Sequence, residues 1–122
     1  MSVFHEEQNQ EHELQGNHMV GLATPNRGAE QVEMWRARMD PGAATPPHSH
    51  EHEEVLLILS GTGRATIEGN EVRYRAGDTL ILPAGKVHQI FADTHTDIVS
   101  AMPIGTPVRL PDGQLLDLPW RR

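Results

Sequence analysis

Apolar residues in this chain come in short runs such as Val55-Leu-Leu-Ile-Leu59 and Leu80-Ile-Leu82, bounded by Gly and Pro and never in a sustained 3.6-residue period. Eleven glycines and nine prolines punctuate the whole length. Many short strands separated by turns describe an all-β sandwich or barrel.

Individual strands can be placed. Residues 18–23 form a first candidate. Residues 31–39 form a second, with Glu33, Trp35, Ala37 and Met39 on one face and Met34, Arg36 and Arg38 on the other. Asp40-Pro41-Gly42 closes it as a turn. Residues 53–59, nearly continuous in apolar side chains after an acidic start, read as a central strand. Residues 64–68 and 71–75 flank Gly69-Asn70 as a hairpin. Strands at 79–82, 87–92 and 97–102 follow. The tail, residues 111–120, carries another turn and a short apolar piece that either packs back on the domain or crosses to a partner.

At 122 residues the chain supports one domain. Residues 1–17 read as an acidic lead-in or a short fraying helix, because Glu6, Glu7, Glu11 and Glu13 have no basic partner among them; residues 18–122 are expected to form the single β domain. The hydrophobic fraction is 37% and aromatics are 4%, a lean core that favours association. The net charge of −7 speaks against nucleic acid or an anionic membrane as partner, since phosphate contacts need clustered Lys and Arg. There is no cysteine, which excludes a disulfide framework, a thiolate nucleophile and a Cys-rich zinc site. No run approaches a membrane span, and the expectation is a soluble, cytoplasmic protein.

The chemistry concentrates in one segment, His48-Ser-His-Glu-His-Glu-Glu54. In a regular strand alternate residues share a face, so His48, His50, His52 and Glu54 would point the same way. Imidazoles with one carboxylate suit divalent first-row metals such as iron, manganese, nickel, copper or zinc. Taken alone, the cluster fits a solvated strand edge as well as a metal site. A second segment, Gly77-Asp-Thr-Leu-Ile-Leu-Pro83-Ala-Gly85-Lys-Val-His88, offers a further imidazole from a later strand.

Together the two segments resemble the cupin family. The first cupin motif, Gly, five residues, His, one, His, three, Glu, six, Gly, is matched by Gly42, His48, His50, Glu54 and Gly61. The second, Gly, five, Pro, one, Gly, two, His, three, Asn, is matched by Gly77, Pro83, Gly85 and His88, with Ala92 in place of Asn. The resemblance implies a double-stranded β-helix, or jelly-roll β-barrel, holding one divalent transition metal through His48, His50, Glu54 and His88. His52, which the family pattern skips, is then solvent-facing or supports a ligand from outside the set. The fifteen residues between the motifs, 62–76, match the compact spacing of small single-domain members.

Parity with His88 places Ile90 and Ala92 inward, and parity with Glu54 places Leu56 and Ile58 inward, so the cavity beyond the metal is expected to be apolar. Arg36, Arg38, Tyr74, Lys86 and Gln89 are candidate polar contacts, each more simply read as surface or interface. His5, His12, His18 and His95 read as surface residues, and Trp35 and Trp120 as core or interface anchors. Edge strands and the apolar tail favour a homodimer. The leading functional expectation is a metal-dependent, dioxygenase-like oxidoreductase acting on a small organic molecule, with no catalytic residue assigned beyond the ligands. The alternatives are a non-redox metal-dependent isomerase, decarboxylase or lyase, and a non-catalytic small-ligand-binding or sensory domain.

Overall fold

A computed structural model describes residues 1–121. Eleven strands run in chain order: β1 (Glu11–Leu14), β2 (Asn17–Ala23), β3 (Val32–Met39), β4 (Ser49–His50), β5 (Glu54–Ser60), β6 (Thr62–Ile67), β7 (Asn70–Arg75), β8 (Thr79–Leu82), β9 (His88–Ala92), β10 (Thr96–Pro103) and β11 (Val108–Arg109). Three single 3-10 turns, Glu6–Gln8, Pro25–Arg27 and Pro119–Arg121, are the only helical pieces among the described residues. One six-stranded sheet has the order β1-β2-β3-β10-β5-β8, a three-stranded sheet β7-β6-β9, and a two-stranded ribbon β11-β4. The pairings within them are antiparallel, the arrangement of a jelly-roll β-barrel.

The alternating pattern decides which side chains meet in the core. Met39, Leu56, Ile58, Ala65, Tyr74, Leu82, Ile90, Ala92 and Ile98 pack together between the sheets, so the inward parity expected for Leu56, Ile58, Ile90 and Ala92 is what the strands adopt. A second cluster joins Trp35 of β3 and Met102 of β10 to Val108, Leu118 and Trp120 of the tail. The tail therefore folds back on its own domain.

Three details depart from the sequence reading. Residues 11–14 are a strand paired with β2, so the strand layer begins before residue 18. Its acidic side chains sit on a sheet edge, where Glu11 and Glu13 remain exposed, and a polar edge strand carries no apolar period to betray it. The hairpin turns at Glu68-Gly69, both with positive φ (51° and 80°), and Asn70 already pairs with Ile67. A two-residue turn of that handedness matches the strand twist. Finally β5, although central in its sheet, buries only alternate residues, and Val55, Leu57 and Leu59 face outward.

His18, read from sequence as a surface residue, is partly buried with Nε2 at 3.2 Å from Asp40 and Nδ1 at 3.5 Å from Glu11. The hydrogen bond to Asp40 outweighs the cost of burial and raises the imidazole pKa. A raised folded-state pKa means that this contact stabilises the fold below the ordinary histidine range and is lost as pH rises through the folded value. Titrating the His18 ring by NMR should give a pKa above that of a model histidine, falling towards it in Asp40→Asn. An unchanged midpoint in that variant contradicts the assignment.

Candidate metal centre

The strands bring together the four residues singled out by the two motifs. His48 and His88 form an antiparallel bridge, His48 N–H to His88 O at 3.0 Å and His88 N–H to His48 O at 2.8 Å. His50 lies on β4, held by β11 through its pairing with Val108. Its carbonyl also accepts the Gly85 N–H at 2.7 Å, tying the second motif's turn to the first motif's strand. Glu54 opens β5 opposite Leu82. One ligand atom from each of His48, His50, Glu54 and His88 can be chosen so that all four lie within 4.8 Å of one another.

The chain does not reach this arrangement as one regular strand. β4 ends at His50, and Glu51-His52 bends away before β5 begins at Glu54. The bend leaves His52 exposed, while His50, Glu54 and His88 are almost fully buried at 2%, 5% and 1%. The His52 carbonyl still serves the site, because it accepts a hydrogen bond from His50 Nδ1 at 3.1 Å.

The same device recurs at each imidazole. His48 Nδ1 reaches Pro46 O at 2.7 Å and His88 Nδ1 reaches Lys86 O at 3.2 Å. A carbonyl can only accept, so each Nδ1 carries a proton, and in the neutral ring Nε2 presents a lone pair. Those Nε2 atoms converge: His88 Nε2 lies 3.1 Å from His48 Nε2, and Glu54 Oε1 lies 3.3 Å from His50 Nε2 and 3.8 Å from His88 Nε2. Although close to that carboxylate oxygen, His50 Nε2 is buried without a hydrogen bond of acceptable geometry. Converging imidazole nitrogens and a carboxylate form a donor set that a cation completes. The residues present therefore fit a single divalent metal ion.

The electrostatics separate the three rings. Burial, reinforced by the neighbouring His48 and His50, pushes His88 down to about 3. Burial likewise lowers His48. Burial also opposes charge on His50, but the adjoining Glu54 carboxylate outweighs it and raises that ring's pKa.

Beside the cluster lies a cavity of about 120 Å³ reached by His48, Glu54 and His88 and otherwise walled chiefly by apolar side chains, including Trp35, Leu56, Ile90 and Trp120. None of Arg36, Arg38, Tyr74, Lys86 or Gln89 lines it. Arg36 forms a bidentate pair with Asp97, Tyr74 donates to Phe91 O at 2.6 Å, and Gln89 donates to Thr45 O at 2.8 Å. What sequence reading missed is the wall made by the tail. Trp120 meets Trp35 edge-to-face at 5.7 Å, and Arg121 forks onto the fully buried Glu33 at 2.6 and 3.1 Å. The inward parity of Glu33 on β3 was the available signal, since a carboxylate on a core face needs a cationic partner.

The cupin domain family matches residues 35–104, from β3 through β10. This chain is a cupin. Over 100 residues the cupin is 31% identical to Auxin-binding protein 1 of Arabidopsis thaliana, an alignment covering 75% of this chain and 50% of that protein. Over 76 residues it is 34% identical to the acireductone dioxygenase of Drosophila melanogaster, covering 57% of this chain and 41% of the other. It thus spans half or less of the length of these two curated relatives. Among solved structures, the polyketide cyclase RemF from Streptomyces resistomycificus superposes with a TM-score of 0.80 at 21% identity, over 98% of this chain and 90% of that one. That likeness is one of fold.

Proposed function

We propose that this cupin is a metal-dependent oxidoreductase of the dioxygenase type, acting on a small, largely apolar organic molecule. The observation that carries the reading is the convergence of three Nε2 lone pairs and one carboxylate at the wall of an apolar cavity. His48, His50, Glu54 and His88 would hold one divalent ion, iron, manganese, nickel, copper or zinc; all of these can act as a Lewis acid, and zinc alone among them has no redox chemistry. Such an ion supplies Lewis acidity and, when redox-active, a route for electrons to dioxygen. A dioxygenase places both oxygen atoms in the organic product and needs no external reductant.

The protein's own residues do the rest. The carbonyls of Pro46, His52 and Lys86 lock the ring tautomers. The apolar wall excludes water and strengthens every charge interaction inside. Glu54, once loosened from the ion, would serve as a base towards an acidic group of the bound molecule. Similarity to an acireductone dioxygenase supports oxygen chemistry. The test combines metal analysis of protein purified without a His tag or added metal with oxygen uptake against a panel of small aromatic and carbonyl compounds. Turnover that continues unchanged under strict anaerobiosis overturns the dioxygenase reading in favour of a Lewis-acid isomerase, decarboxylase or lyase.

A second reading has its own support. Among the cavity-lining residues the ionisable groups are His48, Glu54, His88 and Asp117, few for acid–base work away from the metal, and one relative is an auxin-binding protein. In this reading the barrel captures a small ligand unchanged. Recovery of the bound molecule chemically intact after long incubation with metal-loaded protein and oxygen would favour it.

The same proposal includes a cytoplasmic homodimer. No helix among the described residues is long and apolar enough to cross a membrane, and the lack of cysteine leaves no disulfide for an oxidising compartment to form. Support for the dimer comes from the outer face of β5 and β8, where Val55, Leu57, Leu59 and Ile81 are 37%, 42%, 45% and 58% exposed and Val55 pairs directly with Ile81. Such a continuous apolar strip suits a partner sheet better than water. Leu57→Asp combined with Ile81→Lys should convert the dimer to monomer in sedimentation velocity. Identical masses for parent and variant would rule out association through this face.

A further inference from the structure

The inward face of β10 alternates Ile98, Ser100 and Met102, all three buried. The middle position puts a hydroxyl on an otherwise apolar stretch of wall. Ser100 pairs with Trp35 of β3 on one side and Leu56 of β5 on the other, and all three line the cavity beside the metal cluster. Its Oγ has no hydrogen-bond partner among the described residues, yet it is not one of the interior polar atoms closed off from solvent. Ser100 keeps 8% of its surface, and on the inward face of a central strand that surface opens into the cavity. The other polar side chains of the wall outside the cluster are engaged or closed. Trp35 Nε1 donates to Glu33, Thr45 Oγ1 accepts the Ile90 N–H at 3.0 Å, and Asn17 Nδ2 donates to two carbonyls. Asn17 Oδ1 and Trp120 Nε1 are buried where nothing entering the cavity touches them. Asp117 is exposed and so belongs to the mouth rather than the interior.

A hydroxyl without a protein partner on an apolar wall is costly to the fold unless something that enters the cavity satisfies it. We infer that Ser100 Oγ is a second binding point of the cavity, selecting a small organic molecule with two oxygen substituents, one turned towards His48, Glu54 and His88 and the other hydrogen-bonded to Ser100. The spacing follows from the sheet. Ser100 lies opposite Leu56, so Glu54 is its diagonal neighbour on the same face, and such neighbours stand about 7–8 Å apart. Leu56 and Trp35 flank Ser100 in the wall, so the part of the molecule joining the two oxygens is itself apolar. A cavity of about 120 Å³ suits a skeleton no larger than one six-membered ring, since about 150 Å³ accommodates benzene. No Lys or Arg lines the cavity, so the oxygen at Ser100 belongs to a neutral hydroxyl, carbonyl or ether rather than to a carboxylate. The inference rests on the reading of this cavity as the small-molecule site, but it concerns binding alone and holds whether the molecule is turned over or leaves unchanged.

Resorcinol and hydroquinone carry two oxygens on one ring at different spacings, and toluene is of similar size with none. Their affinities are measured by calorimetry and ligand-detected NMR on the protein as purified, under nitrogen, so that binding alone is read. Ser100→Ala should weaken at least one of the two diols about tenfold, the effect of one hydrogen bond, and leave toluene within about twofold. Packing barely changes, because the variant lacks a single atom on the side where the cavity already lies. Since the hydroxyl bonds no protein group, unliganded Ser100→Ala should also melt at the parent temperature or above it. A purely structural role would instead lower that temperature and leave the ratio of diol to toluene affinity unmoved. An unchanged ratio for both diols, the result if the hydroxyl serves only a resident water, overturns the inference, and so does equal weakening of all three probes. If no probe binds the parent at its solubility limit, the reading of the cavity as the small-molecule site falls and the inference with it. If toluene binds but neither diol depends on Ser100, only the second binding point falls, and oxygen-dependent turnover remains a separate question.

Discussion

His88→Ala protein, expressed without added metal and freed of any tag, should bind its metal at least about a hundredfold more weakly than the parent, whereas His52→Ala should retain a near-parental content. Replacing groups that merely orient a ligand already costs about 10- to 100-fold in affinity, and His88 supplies one of only four converging atoms. It is also the ligand contributed by the second motif, on the far side of the bridge to His48, so its loss tests whether the two motifs share one ion. His52 is exposed and contributes only its backbone carbonyl, which alanine preserves. Elemental analysis gives the metal content, and competition with a chelator gives the affinity. A linked thermal result should accompany it. Metal at a thousandfold excess over Kd stabilises a folded state by about 4 kcal/mol, so the parent should lose melting temperature on chelation while His88→Ala barely changes. Equal metal retention in His88→Ala and His52→Ala would sink the shared-site assignment.

Arg121→Met should destabilise the fold by about 3–5 kcal/mol, because it leaves the Glu33 carboxylate buried and without its cation. Arg121 does three things at once: it forks onto Glu33, donates to Thr106 O at 2.9 Å and lies 5.6 Å over the Trp35 ring. Glu33 Oε2 in turn accepts from Trp35 Nε1 at 3.3 Å. Adding Glu33→Gln to Arg121→Met removes the stranded charge while keeping an acceptor for Trp35, so the double variant should recover a substantial part of the loss. The expected drop in melting temperature for the single variant is roughly 10–20 °C, with the double variant between it and the parent. Urea titrations of the four proteins complete the cycle. Additive losses, or a single-variant cost below about 1 kcal/mol, would show that the tail is not pinned by this pair.

The four-residue cluster of His48, His50, Glu54 and His88 was legible in the sequence because its information is local. His48, His50 and Glu54 lie within seven residues, and His88 is marked by the Gly and Pro spacing of its turn. The strands were legible for the same reason, since two-residue alternation survives wherever one face is buried and the other wet. Where that contrast is absent the reading faltered. Residues 11–14 form an edge strand with neither face deeply buried, so they looked like a solvated lead-in. In β5 the outward positions are also apolar, so the run read as a central strand by its composition, and only the parity with Glu54 told its inward residues from Val55, Leu57 and Leu59. Glu68-Gly69 takes the turn because two positive φ values are needed there, and Glu68 does not advertise that conformation.

Sequence alone determined the strand periods, the turn positions to within a residue and the residue types of the His/Glu cluster, because each follows from neighbours along the chain. Only tertiary structure decided that His52 turns outward, that Nε2 rather than Nδ1 faces the shared point, and that the tail walls the cavity. The bend at residues 51–52 and the carbonyls of residues 46, 52 and 86 choose the first two. The third depends on Arg121 reaching Glu33 across 88 positions. A contact of that separation leaves no periodic trace, since it is set by burial of a carboxylate that must find its cation wherever the fold delivers one.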